Sequence, residues 1–173
     1  MITFVSRCNY GICLLALALA LVGPGWAQTP EAAESDANLY TRAVALLDQA
    51  EQQLTAGNLP AALALVKQSN QLFTLLQKKS AAALAERQVS RQDEQQLAIN
   101  DKLGADSQAQ ADRLLSAAAA KKKQAMETQG MTEAAETALR ESREGYLQSQ
   151  ALSIKAAMYA LRNQQIIFRF LAP

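Results

Sequence analysis

The sequence predicts an all-α protein: an elongated antiparallel helical bundle, or coiled coil, of about four helices built on an αα-hairpin. Three observations predict it. Apolar and small residues recur at alternating steps of three and four, the spacing of one helix face. Helix-ending and helix-starting residues stand between these stretches, at Ala56-Gly57-Asn58-Leu59-Pro60, around Gly104 and at Gly130. No alternating or β-branched run is long enough to argue for a strand, the Ile166-Ile167 pair being ambiguous on its own.

The first 27 residues read as a secretory signal peptide. Arg7 is the only charge, an apolar run spans Ile12 to Val22, and Gly23-Pro24-Gly25 breaks it. Gly25 and Ala27 supply the small residues that a signal peptidase needs, so cleavage falls before Gln28. The competing reading is a retained membrane anchor, for which the run is short against the roughly 20 residues a span requires. Cleavage removes both cysteines, Cys8 and Cys13, and with them any disulfide or thiolate metal site. Residues 28–173 are then a single helical domain in the periplasm or outside the cell. Of the 17 lysines and arginines, Arg7 leaves with the leader, which balances the rest against 16 acids. A neutral chain without a basic cluster is a poor nucleic-acid binder.

The organising element is a hairpin over 30–80. Tyr40, Ala43, Leu47, Ala50 and Leu54 form a seam before the turn, with Arg42, Asp48, Glu51, Gln52 and Gln53 on the solvated face. Ala62, Val66, Ser69, Phe73 and Leu76 continue the spacing after it, widened by Leu63, Leu65 and Leu72. Gly57 suits the left-handed residue that ends a helix, Asn58 is a good N-cap, and Pro60 fits a first turn. The first helix opens at Thr29-Pro30, or at Ser35 or Asp36.

Ala50-Glu51, Leu54, Gly57-Asn58, Ala61-Ala62-Leu63 and Phe73 together resemble the turn region of a tetratricopeptide-type hairpin. They are also similar to helical hairpins of uncharacterised exported bacterial envelope proteins. The resemblance covers about forty residues, and no second copy follows at the roughly 34-residue tetratricopeptide period. It implies a protein-binding or packing module rather than a catalyst.

Beyond Leu76 the helical pattern continues through Ser80, Ala83 and Arg87 into a polar stretch with apolar points at Val89, Leu97, Ile99 and Leu103. Two readings compete: one long exposed helix, or a break where the turn formers Asn100, Asp101, Gly104 and Asp106 cluster. The break is preferred, giving helices over 59–103 and 106–128. Ala111, Leu115, Ala118, Ala119, Ala125 and Met126 mark the stripe of the latter. Lys121-Lys122-Lys123 in its last third either complement the helix dipole or meet an anionic polymer or headgroup. Gly130 ends it, and Thr132, followed by Glu133 and Glu136, caps a final helix over 132–170. There Leu147, Ala151, Ile154, Met158, Leu161, Gln165 and Phe168 make the cleanest seam of the chain, undisturbed by Gly145.

The chemistry available is narrow. Without His, and without Cys or Trp once the leader is gone, there is no base near neutral pH, no imidazole or thiolate ligand and no catalytic triad. No Gly-rich phosphate loop is present. Paired carboxylates remain, Asp93-Glu94 with Asp101 and Glu141 with Glu144, all expected on solvated faces. The expectation is therefore no enzyme, no cofactor, no metal and no nucleic acid. The chain is expected to be an exported structural or interaction protein of the bacterial cell envelope. Its apolar helical seams would bind a partner protein or a second copy, and a membrane would be met only through a retained leader. The apolar chain end, Ile167, Phe168, Phe170 and Leu171, is the candidate partner-binding group, its other fate being the core. The alternative function is a periplasmic holdase-type chaperone.

Overall fold

A computed structural model describes residues 34–128, 130 and 132–173, and the leader reading and the Thr29-Pro30 start lie outside these. The described residues form an all-α helical bundle with no strand. The elements are α1 (Asp36–Thr55), α2 (Leu59–Lys79), the short α3 (Ala81–Glu86), α4 (Arg91–Glu127) and α5 (Glu133–Ile167). A 3-10 turn, Arg169–Leu171, closes the chain. No described helix is long and apolar enough to cross a membrane.

The hairpin forms as its residues dictate. Ser35 caps α1 by accepting the Asn38 amide at 3.2 Å, and Asn58 caps α2 by accepting that of Ala61 at 3.4 Å. Gly57 takes φ of +76° between them, a conformation costly for any residue with a Cβ. The two helices run for 20 and 21 residues and bury the expected seams, except that Leu54, at the end of α1, is half-buried. Ser69 sits in the middle of that seam, fully buried, and donates to the Ala43 carbonyl at 2.8 Å. A hydroxyl so placed is satisfied and lets the helices approach closely.

The expected long helix over 59–103 is corrected. α2 stops at Lys79, where it has run the length of α1 and reached its N-terminus. There Lys79 pairs with Asp36 at 2.7 Å and Ser80 donates to the same carboxylate at 2.9 Å. After α3 the backbone becomes extended at Arg87, and Ser90 caps α4 by accepting the Asp93 amide at 3.1 Å. The reversal is therefore at 87–90. α4 runs unbroken through Gly104 for 37 residues, about 55 Å. Gly104 makes no turn and lies within the α4–α5 contact, where a Cβ would stand at ordinary van der Waals distance, 3.6 Å, from both the Ala156 carbonyl and the Tyr159 Cβ.

α5 is the shared element. One of its faces packs on α4. Ser149 donates to the Ala111 carbonyl at 2.8 Å, and Ser142 to that of Ala118 at 2.7 Å. Asn163 reaches the Leu97 carbonyl at 3.4 Å. Each step of seven residues down α4, from Leu97 through Gly104, Ala111 and Ala118, is met by a step of seven back along α5. The same step carries on to Ala125 and Ala135, both buried. Gly145 keeps this seam tight, since an added Cβ would stand 3.0 Å from that of Ala118. The opposite face of α5, about 140–200° around the helix, carries Ile154, Met158, Leu161 and Phe168. These join the hairpin's Leu39, Tyr40, Leu47, Phe73 and Leu76 in the core. Phe73 stacks on Phe168 at 6.1 Å and meets Tyr40 edge-on at 6.5 Å.

The long seam expected on α5 is thus the hairpin-facing one, and its first member, Leu147, is left exposed because the hairpin ends before reaching it. On α4 the structure keeps Ala111, Ala118 and Ala125 as seam, and turns Leu115, Ala119 and Met126 outward.

Candidate docking surface

The apolar chain end belongs mostly to the core. Phe168 is fully buried, and Ile167 and Leu171 pack against the same cluster. Hydrophobic burial wins because Phe73 offers that ring a partner and no water. Only Phe170 remains partly free, 41% exposed, with the Arg87 guanidinium 5.5 Å above its ring. Of the four candidate residues, Phe170 alone is exposed, with Ile167 and Leu171 half-buried.

Beside it lies a charged junction. Asp93 accepts from Arg169 at 3.1 Å and pairs with Arg87 at 3.8 Å. Its side chain is only 15% exposed, so the expectation of a solvated acid is corrected there. Asp93 is the ionic clasp holding the start of α4 to the end of α5 and to the 87–90 reversal. One Arg87 nitrogen, Nη1, is buried without a hydrogen-bond partner among the described residues. Tyr40 packs nearby with its hydroxyl donating to the Gln165 carbonyl at 3.3 Å; burial pushes its pKa up.

The other acids do not converge on a site. Glu94, Glu141 and Glu144 are exposed, as expected. Asp101, itself exposed, accepts the Asn163 amide at 2.6 Å, and the buried Asn100 also donates to Asn163 at 2.9 Å. Such a set fixes which residues of α4 and α5 face each other. Among the described residues no cluster of acids could hold a metal ion.

Lys121 pairs with Glu141 across the two helices, and Lys123 with Glu127 at 3.7 Å. The Lys121 ammonium holds the Glu141 carboxyl below its ordinary range. The lysines stand before the last turn of α4, which carries no basic residue, so their main bonds are to acids and not to the helix end. A groove of about 410 Å³ lies between the end of α1 and the middle of α5, floored by Leu54, Leu152, Met158 and Tyr159. Arg162 crosses its rim to Asp48 at 2.8 Å and Glu51 at 2.6 Å. Burial draws its pKa down, but these two carboxylates more than offset it and the net shift is upward.

The most extended free surface is elsewhere. Leu54 and Thr55, at the end of α1, line the same groove as Ala151 and Leu152 of α5. Beyond that level, among the described residues, α4 and α5 have only each other, forming a two-helix arm of residues 109–127 and 133–151. Its two broad sides differ. Residues one and four positions after each seam residue lie on one side of an antiparallel pair, and those two and six after lie towards the other. The first side presents Leu115 at 47% exposure, Leu139 at 39% and Met126 at 74%, with Ala119 and Tyr146 between them. The second presents Gln110, Arg113, Gln124, Glu141, Glu144 and Gln148, with the small Ala117 and Ala120 and a half-buried Leu114 among them on α4. Sequence reasoning missed this surface because Leu115 and Met126 read as seam. The signal for it was the strict sevenfold recurrence of Ala111, Ala118 and Ala125, which leaves the larger neighbours no place in the contact. Compared with protein-family models, with curated proteins and with solved structures, the chain matches none.

Proposed function

We propose that the chain is an exported, non-catalytic interaction protein of a bacterial cell envelope, and that its α4–α5 arm is the part that docks. The observation that carries this reading is the arm's one-sidedness. Leucines and a methionine are exposed on one broad face of a helix pair that has no other partner among the described residues, whereas on the opposite face Leu114 is half-buried and no large apolar group is exposed. Large exposed apolar groups grouped on one face mark interaction surfaces more often than singly scattered ones do. The sequence supports the location through the leader-like residues 1–27 and the absence of cysteine after them.

Cell fractionation with N-terminal sequencing tests the location: a start at Gln28 in the periplasmic or secreted fraction is expected, and a cytoplasmic chain that keeps Met1 overturns it. A photo-crosslinking residue at Leu115 tests the docking. Adducts from that position, absent from a matching probe at Gln148, are expected; equal yields at both remove the reading. The holdase alternative draws on the same exposed leucines. It requires the chain to suppress aggregation of an unfolded client at near-stoichiometric ratio.

A further inference from the structure

We propose that the partner of the arm's apolar side is the same side of a second copy, turned about a two-fold axis level with residue 117. This names the partner in the docking reading above and rests on it. The argument is one of self-complementarity. The serine bonds to Ala111 and Ala118 set the levels, so Tyr146 stands opposite residue 114 and Leu139 opposite residue 121. An antiparallel two-fold pairing lays α4 on α4 and α5 on α5, and it exchanges levels equally spaced about its centre.

Four residues of α4 on this side then meet in two kinds of contact. Asp112 and Lys122, five residues either side of 117, face each other twice. Leu115 and Ala119, two residues either side, do the same. On α5, Tyr146 and Leu139 lie three and four levels either side of the axis, so each comes within one residue of the other's mate. Leu115, Leu139 and Tyr146 each find an apolar group and Asp112 finds a base, while Met126, nine residues from the axis, meets the Gln108 level at the rim. Lys122 has no ion-pair partner among the described residues, whereas its neighbours Lys121 and Lys123 both do. The Asp112 carboxylate accepts from the Gln108 amide at 2.8 Å on its own helix, which leaves its second oxygen without a donor among the described residues. The pairing makes a four-helix layer from two two-helix arms and covers small-residue helices that bury little alone. Arg143 is level with 117 and meets its own mate at the axis, the one like-charge contact.

The test is the oligomeric state of the chain as purified, its mature N-terminus fixed by intact mass, in sedimentation velocity over a wide concentration range. A reversible dimer is expected. Lys122→Asp sets acid against acid at two symmetric places and weakens it about tenfold. The double variant Asp112→Lys with Lys122→Asp restores the pairing to within about twofold of the parent. In a Cys8→Ser, Cys13→Ser background, Arg143→Cys forms a disulfide-linked dimer on mild oxidation and Gln148→Cys, on the polar side, does not. A monomer throughout, a dimer indifferent to Lys122→Asp, or equal crosslinking at 148 overturns the proposal. A monomer whose arm still photo-crosslinks to a different protein overturns the self-pairing and leaves the docking reading standing. An arm that crosslinks to nothing removes both.

Discussion

The two ends of α5 are packed by opposite means. In its C-terminal half Ile154, Met158, Leu161 and Phe168 bury large side chains against the hairpin, with Phe73 and Phe168 among the largest groups wholly removed from water. In its N-terminal half Ala135, Ser142, Gly145 and Ser149 bring α5 against Ala111, Ala118 and Ala125 with almost no side chain between. The period is the same and the side-chain volume is not. Burial scales with apolar area, at about 25 cal/mol per Å², so the hairpin half supplies the stability. The arm contributes close approach and a fixed register. An arm of this kind is held in place yet cheap to reshape, which suits a surface that meets a partner.

Substitutions can break that contrast. The largest effect belongs to the aromatic core: Phe73→Ala or Phe168→Ala should cost about 3–5 kcal/mol, read as a lower urea midpoint for the whole chain. Next comes overfilling of the small-residue seam. Gly145→Leu drives a side chain into Ala118, whose Cβ would already be 3.0 Å from a new Cβ. A cost of about 1–3 kcal/mol is expected, confined to the arm: amide exchange should rise over 109–127 and 133–151 while that of α1 and α2 is unchanged. Smaller still are the seam hydroxyls. Ser149→Ala in the arm and Ser69→Ala in the hairpin each remove one serine-to-carbonyl bond, and each should cost about 0.5–1.5 kcal/mol by chemical denaturation. A large inequality between the two would show that the bond serves different ends in the two halves.

The weakest effect is electrostatic and is shared. Hydrogen bonds from Lys79 and Ser80 lower the folded pKa of Asp36 from its ordinary 3.8. A lowered carboxyl pKa adds stability that is present above the ordinary value and lost as pH falls through the folded one. The hairpin should therefore weaken slightly below about pH 4, and Asp36→Asn should flatten that part of a denaturation-versus-pH curve. Glu141 has the same sign in the arm, held down by Lys121 from its ordinary 4.5. Both pairs are exposed enough for water to screen them, so the steps are small.

What the sequence showed and what it hid divide along the same line. The hairpin was legible because Leu, Phe and Val at helical spacing, with Gly57, Asn58 and Pro60 between, each argue for one structure. The face of α5 running from Ile154 to Phe168 was legible for the same reason. The opposite face was not, since Ala135, Ser142, Ser149 and Asn163 are ordinary surface residues by type and only their sevenfold recurrence marks them. Gly104 misled because a glycine among Asn and Asp suggests a turn, whereas here it sits mid-helix facing Tyr159. The true reversal had a signal in Ser90 followed by Asp93 and Glu94, an N-terminal capping pattern. At the chain end Phe168 read both as the last member of the α5 seam and as a docking residue, because density of apolar residues there does not say which one finds a ring to stack on.

Amide hydrogen exchange under native conditions, resolved by residue, measures both halves of α5 at once. The C-terminal half, α1 and α2 should open only with global unfolding, while 133–151 and 109–127 open together at a lower free energy. Uniform protection along the whole of α4 and α5, matching that of the hairpin, would contradict a bundle whose arm is held by small residues alone.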